Sequence, residues 1–298
     1  MEQRVMSAAV LPILILGLGW TGQFLTELML SMQMDYAATT RDGRNDTIAW
    51  TLPDNCASLN VSSLPFAQTV LVTFPVKQPQ CLDALIDAYE AQHEQSSQWI
   101  LLSSTRPFSG NPADRHTPLD RSKDTGRMSA EDTLIQRGGS VLHLAGLWGN
   151  QRYHVSKTKQ KKKGPGLICI NRQPKNWVPR FSTAEAIRNK LLQRQLHLIH
   201  GKDVARAILA VHQQFKPGER WIITDQTCYD WIKLFLAWGS EEQIQIARDL
   251  AIHDDQCRQA LGDGSLEEVV ARGEVKPRLD STEFWETFHL KPTEFLSV

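Results

Sequence analysis

The chain has 298 residues, of which 41% are hydrophobic and 22% are charged. This length and composition are typical of a globular protein with a sizeable core. Basic and acidic residues number 33 each, and so balanced a charge argues against nucleic acid or an anionic membrane surface as the main partner.

The cysteines and the N-terminal apolar run both bear on where the protein works. The five cysteines are an odd number without a C-x-x-C pair, which predicts neither a disulfide framework nor a zinc site. Residues Val10–Leu18 resemble the core of a signal peptide, but they lead straight into closely spaced glycines rather than a cleavage site. No apolar run approaches the roughly 20 residues of a membrane helix. We therefore expect a soluble, cytoplasmic protein without a bound metal.

Short apolar runs alternate with longer helical patterns through residues 1–150. The clearest helix is Pro79–His93, whose apolar residues recur at i, i+3, i+4 and i+7. Strand–helix alternation of this kind predicts an α/β fold with a doubly wound parallel sheet. The other expected elements are strands at Ile13–Leu16, Tyr36–Thr40, Val70–Phe74, Trp99–Ser103 and Val141–Leu144, a weak strand at Thr47–Thr51, and helices at Thr21–Met34 and Gly126–Arg137.

The pattern changes in the second half of the chain. The lysine-rich run Lys157–Lys163 predicts a surface loop, either simply solvated or acting as a flap that attracts an anionic substrate. Strands are expected at Leu196–His200 and Trp221–Thr224, with Asp203 capping the helix between them. Residues 229–298 are expected to be mainly helical, with a capping box at Ser240 and Gln243.

Three glycines follow the first strand in the run Gly17-Leu18-Gly19-Trp20-Thr21-Gly22. The spacing is G-x-G-x-x-G, in which Gly17 allows a tight turn, Gly19 lets a pyrophosphate approach the backbone and Gly22 lets helix and strand pack closely. The N–H groups at the helix start, including those of Trp20 and Thr21, would bind the phosphates. The strand–loop–helix context predicts a Rossmann-type dinucleotide site.

The end of the second strand bears on which dinucleotide binds. It reads Thr39-Thr40-Arg41-Asp42. An arginine there accommodates the 2′-phosphate of NADP, whereas an acidic residue accepts from the ribose hydroxyl of NAD. Arg41, with Thr40 beside it, favours NADP, and Asp42 keeps NAD open. Arg41 as a solvated loop charge is the remaining alternative.

Five segments in order resemble the extended short-chain dehydrogenase/reductase family, in its atypical, NAD-dependent epimerase/dehydratase-like branch. They are GLGWTG at Gly17–Gly22, LLSSTRPFSG at Leu101–Gly110, HLAGLWGNQR at His143–Arg152, LHLIHGKDVARAI at Leu196–Ile208 and RLDSTEFWETFHLKP at Arg278–Pro292. The resemblance covers nearly the whole chain. It implies a Rossmann core over residues 1–155, with 196–226 returning to its sheet, and a smaller substrate lobe over 156–195 and 227–298.

Members of this family use a Ser/Thr, a Tyr and a Lys, and the resemblance places only the first in this chain. Thr105 matches the Ser/Thr position, with Ser104 beside it, or else it is a strand-end hydroxyl bonded to local backbone. Thr125 and Ser129 stand where Tyr and Lys belong. A threonine hydroxyl cannot replace a phenol as a proton donor near neutral pH. Further cofactor contacts are expected at the fourth and fifth strand ends, from Thr73, Phe74, Pro75 and Ser103.

Other residues are weaker candidates for the substrate side. A single Y-x-x-x-K occurs at Tyr153–Lys157, where Tyr153 is either catalytic, in contact with substrate or part of a plain loop. His197 and His200 differ by three on a strand and face opposite sides, so one should pack and one should lie near the cleft. His200 is the one matched by the resemblance, and Trp148 and Trp177 would suit an apolar pocket.

Two functions remain open from the sequence. The first is an NADP-dependent oxidoreductase that acts on a small carbonyl or alcohol, with Thr105 orienting the substrate oxygen. The second is a non-redox protein of the same fold, which binds NADP structurally, senses it, or performs an isomerisation or cyclisation. A small-molecule substrate is the expected partner, and pairing into a homodimer is left open.

Overall fold

The computed structural model describes residues 10–154, 167–273 and 275–298. Its strands are β1 (Leu11–Leu16), β2 (Tyr36–Thr40), β3 (Ile48–Ala49), β4 (Ala67–Val72), β5 (Gln98–Ser104), β6 (Ser140–Leu144), β7 (Gly146–His154), β8 (Leu167–Arg172), β9 (Gln195–His200), β10 (Arg220–Ile223) and β11 (Cys228–Asp230). Its α-helices are α1 (Gly19–Ser31), α2 (Pro79–His93), α3 (Met128–Gln136), α4 (Ala184–Gln193), α5 (Gly201–Gln213), α6 (Trp231–Trp238), α7 (Glu241–His253), α8 (Asp255–Leu261), α9 (Leu266–Ala271) and α10 (Thr282–Thr287). None of these helices has the length and apolar character needed to cross a membrane.

Within the described residues, seven strands form one parallel sheet in the order β10-β6-β5-β4-β1-β2-β3. The chain leaves β1 toward β2 on one side and reaches β4 on the other, so the crevice at the ends of β1 and β4 is a topological switch point. The predicted doubly wound parallel sheet is thereby confirmed. The weak strand expected at Thr47–Thr51 shortens to β3, which pairs through two residues.

Helices cover both faces of this sheet because its strands are apolar on both sides. Along β1, Ile13 and Ile15 pack with side chains of α1 and α5. Leu14 and Leu16 alternate with them and pack with side chains of α2 and α3. Burial on both faces accounts for the continuous apolar runs seen in the sequence.

A second sheet, counted over the described residues, has four strands in the order β11-β9-β7-β8. Of the stretch 196–226, β10 returns to the large sheet, whereas β9 pairs with β7 and β11 in the small one. Helices α4 and α6 to α9 contribute to a separate apolar core beside it. The capping box at Ser240 and Gln243, which begins α7, is confirmed.

The structure corrects the expectation that the cysteines stand alone. Cys56 and Cys81 form a disulfide, with their Cα atoms 5.0 Å apart and a sequence separation of 25. The bond ties the single turn Cys56–Ser58 to the first turn of α2. Cys56 follows β3 and Cys81 lies in α2, so only the folded chain brings them together. The pairing was therefore not evident from the spacing of the cysteines in the sequence. The argument from the cysteines for a cytoplasmic location is therefore removed.

The structure also corrects the cap of α5. The side chain at the N-cap is His200, whose Nδ1 accepts a hydrogen bond from the Lys202 amide at 3.2 Å. Asp203 lies within the first turn and is fully buried. Its carboxylate accepts hydrogen bonds from the amides of Thr293 and Glu294 at 2.9 and 3.0 Å, so it ties the C-terminal segment to the helix.

Candidate functional site

The loop between β1 and α1 has a shape that requires glycine. Gly17 has a φ of +84°, and a Cβ there would lie 2.8 Å from Cδ1 of Phe74. Gly19 has a φ of +43°, and nothing lies within 4 Å of a Cβ placed on it. A Cβ on Gly22 would lie 3.3 Å from Cγ2 of Ile15, which reflects close packing of helix against strand. The three glycines therefore occupy positions suited to the roles predicted for them.

Hydrogen bonds from neighbouring strands hold this loop in place. The hydroxyl of Thr39 accepts a hydrogen bond from the Gly17 amide at 2.9 Å, and its carbonyl accepts from the Leu18 amide at 2.8 Å. The Thr73 hydroxyl donates to the carbonyls of Leu16 and Gly17. The donors left for a ligand are the N–H groups of the first turn of α1, from Gly19 onward, which lack intrahelical acceptors.

A cavity of about 750 Å³, here called the loop cavity, opens in front of this loop. On one side stands Trp50, 9% exposed, whose Nε1 donates to the Asn60 carbonyl at 2.8 Å. The other lining residues include all of those expected at the ends of β2 and β4, namely Thr40, Arg41, Thr73, Phe74 and Pro75. The cavity thus lies at the switch point, where open α/β sheets bind their ligands.

Two charged residues at the β2 end of the loop cavity differ in whether they already have a partner. Asp42 accepts a hydrogen bond from the Thr40 hydroxyl at 3.3 Å and lies 3.8 Å from Nε of Arg44. The exposed side chain of Arg41 contacts no carboxylate among the described residues, although it lines the cavity. The free charge at this rim is therefore positive.

The end of β5 lies beside a second hollow of about 270 Å³, here called the edge cavity, which also includes Thr21, Thr73, Pro75, Arg127 and Arg172. Ser103 and Ser104 line it, and the Ser104 hydroxyl accepts the Arg106 amide at 3.2 Å. The hydroxyl that is hydrogen-bonded to the local backbone is thus that of Ser104, whereas the sequence had suggested this role for Thr105. The Thr105 hydroxyl has no hydrogen-bond partner among the described residues and lines a third cavity, here called the far cavity.

The positions that replace the family Tyr and Lys do not form a catalytic pair. Thr125 lies ahead of α3, and Ser129 is exposed on its first turn. Lys123, five residues before α3 in a short 3₁₀ turn, binds the Ser109 hydroxyl and lies 3.3 Å from Asp120. The Tyr153 side chain and Lys157 lie outside the described residues, so the Y-x-x-x-K hypothesis stays a prediction.

A buried polar cluster beneath the edge cavity was not predicted from the sequence. Glu131 on α3 is 1% exposed and accepts a short hydrogen bond from the Ser103 hydroxyl. Its other oxygen lies 3.3 Å from Nη1 of Arg220 and 3.8 Å from Nε2 of His143. Burial lowers the pKa of His143, which favours its neutral form. The arginine lies 89 residues away in sequence, so no local pattern revealed the pairing.

Three predicted substrate residues pack away from the cavities described above. His200 is buried between Phe24 and Trp148, with ring centroids 5.6 and 4.6 Å away. Trp148 and Trp177 join a small apolar cluster instead. The histidine that lines the far cavity is His197, on the opposite face of β9. The prediction that the two histidines face opposite sides holds, but their assignment to core and cleft was reversed.

Arg172, at the end of β8, is a second site residue that sequence reasoning missed. Its guanidinium carbon lies 4.7 Å from the centre of the Trp20 ring, next to the glycine loop, and it lines the edge cavity. Burial lowers its pKa, and it contacts no carboxylate among the described residues. A cation stacked on the loop tryptophan is suited to bind an anion at the start of α1.

Known structures share the fold of this chain, although two searches against known sequences find no relatives. A scan of protein-family models gives no match, and a search of curated proteins gives none either. The dTDP-glucose 4,6-dehydratase of Bacillus anthracis, solved in complex with NAD, aligns with a TM-score of 0.58 at 11% identity, covering 96% of this chain and 92% of that one.

Two further structures align over almost their full length. The UDP-N-acetylglucosamine 4-epimerase of Bacillus cereus gives a TM-score of 0.55 at 13% identity, covering 95% of this chain and 94% of that one. Gre2 of Candida albicans gives 0.55 at 12% identity, covering 96% and 95%. The chain therefore has the extended short-chain dehydrogenase/reductase fold of NAD-dependent epimerases and dehydratases.

Proposed function

We propose that the protein binds NADP in the loop cavity and acts as an NADP-dependent oxidoreductase on a small carbonyl or alcohol. The observation that carries the choice of cofactor is the charge at the end of β2. Arg41 is free and positive, whereas Asp42 is already engaged by Thr40 and Arg44. A 2′-phosphate would supply the anion that Arg41 lacks, and the guanidinium fork fits phosphate geometry.

The cavity fits the rest of the dinucleotide as well. Gly19 leaves open the space that a Cβ would fill, in front of the free N–H groups of α1. Arg172 on Trp20 adds a positive charge next to these groups. The adenosine would lie along Trp50, and the nicotinamide would lie toward Ser103 and the edge cavity. The structures of similar fold include one solved with NAD and one with UDP-glucose and NAD.

The residues of the chain would bind and orient the substrate, whereas the hydride transfer would take place on the cofactor. The bound nicotinamide supplies or accepts the hydride. The unpartnered hydroxyl of Thr105 would hold the substrate oxygen at the far cavity. Because Thr125 replaces the tyrosine, no phenol stands at the family's catalytic position, and a water or another group must move the proton. Turnover should therefore be slow.

A second candidate function is supported by the same substitution. Both the tyrosine and the lysine of the family are absent, which suits a protein that binds NADP without net redox, as a sensor, isomerase or cyclase. Both candidates bind NADP. They differ in whether the protein converts NADPH to NADP⁺, or the reverse, with net turnover.

The test has two stages on the same protein. Binding of NADPH, NADP⁺ and NADH is first measured by calorimetry, and the protein is then incubated with NADPH and a panel of ketones and aldehydes while the reduced nicotinamide absorbance is followed. Binding with turnover supports the oxidoreductase, and a Thr105→Ala variant should then lose most of that turnover. Tight binding without oxidation of NADPH across the panel supports the second candidate.

A further inference from the structure

The three hollows beyond the loop cavity join into one cleft along the end of β5. The far cavity, about 370 Å³, shares Arg106 and Lys123 with a small hollow of about 140 Å³ at the start of α3, here called the helix cavity. The helix cavity shares Ser103, Ser104 and Arg127 with the edge cavity. The edge cavity in turn shares residues of the β4 end with the loop cavity. The far cavity is thus connected, through the helix cavity, to the edge cavity, where the nicotinamide is proposed to lie.

The cations that line this cleft are largely uncompensated. Within the part of the chain that the structure describes, Arg106, Arg127 and Arg278 form no ion pair with a carboxylate. Two carboxylates also line it. Glu131 is paired with Arg220, whereas Asp124 accepts the amides of its own turn and keeps its charge, so three unpaired arginines face one unpaired carboxylate. A concave site with unpaired cations concentrates anions.

Arg278 is held in position before any ligand arrives. Its Nη2 donates to the Phe108 carbonyl at 2.8 Å, and its amide donates to Nε2 of His197 at 3.0 Å. Burial, together with the charge of Arg278, lowers the pKa of His197 to about 4, so the imidazole is neutral. The positive charge at this wall belongs to Arg278, and a guanidinium fixed by its neighbours loses little entropy when it binds.

The rest of the far cavity indicates the shape of the ligand. Among the described residues, its lining contains no Phe, Tyr or Trp on which a nucleotide base could stack. The described lining residues are Thr105, Arg106, Lys123, Gln193, Gln195, Leu196, His197, Arg278 and Leu279. We propose that the far cavity binds a small aliphatic acid, whose carboxylate or phosphate is bound by Arg278 and Arg106. In the proposed oxidoreductase, on which the chemical step alone rests, the reacting oxygen of this acid would sit at Thr105.

The test measures binding of defined probes by calorimetry. The protein is titrated with malate and glycerol 3-phosphate, with the neutral butane-1,4-diol and glycerol as matched controls, and with UDP-glucose. The variants are Arg278→Gln, Arg106→Gln and, as a control, Arg180→Gln, an exposed arginine without an ion pair among the described residues and away from the cleft. The NADP⁺ affinity of each sample is measured alongside.

We expect at least one acid to bind while both neutral probes do not. Arg278→Gln should weaken that binding about tenfold or more, as expected for one lost charge-assisted hydrogen bond, and Arg106→Gln should weaken it several-fold. Arg180→Gln should leave it unchanged, and NADP⁺ affinity should stay constant in all three. The acid that binds distinguishes carboxylate from phosphate.

The proposal is overturned if the acids bind no better than the neutral probes, if all three variants weaken binding equally, or if UDP-glucose binds more tightly than both acids. Because Arg106 is exposed and its side chain has no partner among the described residues, its variant separates loss of the site from loss of folding. Acid binding without NADP⁺ binding would refute the proposed cofactor alone, and the reverse would refute only the acid site.

Discussion

Replacing Arg41 with alanine removes the free positive charge at the end of β2 without breaking a hydrogen bond or ion pair with the described residues. A hydrogen bond to a charged group contributes about 1.5–3 kcal/mol. Since Arg41 is exposed and solvent screens its charge, we expect a contribution just below this range, about 1.4 kcal/mol, which is tenfold in affinity. The Kd for NADPH should therefore rise about tenfold, while the Kd for NADH should change less than about twofold.

Quenching of tryptophan fluorescence can measure both constants, because Trp20 and Trp50 lie at the glycine loop and the loop cavity. Arg44→Ala is the matched control, because it removes a nearby arginine that already faces Asp42 at 3.8 Å. It should weaken NADPH binding less than Arg41→Ala does. Equal losses for NADPH and NADH in Arg41→Ala would refute the assignment of the 2′-phosphate to this residue.

Three further predictions concern stability, each measured by urea denaturation. Glu131→Gln removes a buried anion and should lower the free energy of unfolding by about 1–3 kcal/mol, more than Asp132→Asn at the partly exposed end of the same cluster. Reducing the bond between Cys56 and Cys81 should cost about 3 kcal/mol, as expected for closing a loop of 25 residues. Burial raises the pKa of Asp225 to about 6, so the folded chain holds a proton that the unfolded chain releases near pH 4. Stability should therefore fall by about 3 kcal/mol as the pH rises through this window, and Asp225→Asn should abolish that difference.

Each of these has an outcome that contradicts it. Equal losses in Glu131→Gln and Asp132→Asn would mean that the buried carboxylate is no more important than the exposed one. An unfolding curve unchanged by reductant would mean that the disulfide does not restrain the unfolded chain. A pH dependence that persists in full in Asp225→Asn would assign it to another group.

The parts of the structure that the sequence predicted are those determined by local patterns. The glycine loop is one, because its spacing, the preceding strand and the following helix all lie within residues 11–31. The bounds of α2 are another, since apolar residues recur at helical spacing along its 15 residues and indicate a helix over this range. Helix α3 was predicted to begin at Gly126 but begins at Met128, because Gly126 has a φ of +81°, which lies outside the right-handed helical region.

The parts that it missed depend on residues far apart in the chain. Ser103, Glu131 and Arg220 lie on three separate elements, and only the folded sheet brings them together. Arg172 reaches the glycine loop from β8, in the small sheet. The assignment of His197 and His200 was reversed because alternation along a strand shows that two residues face opposite sides, but not which side is the core.

Calorimetric titration of the purified protein with NADPH and NADH tests the central claim most directly. We predict saturable binding of NADPH, about tenfold tighter than that of NADH. Gly19→Ala should abolish it, since a Cβ would enter the open space before the α1 amides. Gly273→Ala, at another positive φ with open space around it, should not. If neither dinucleotide binds in its oxidised or reduced form, or if both alanine variants bind equally well, the loop cavity is not a dinucleotide site.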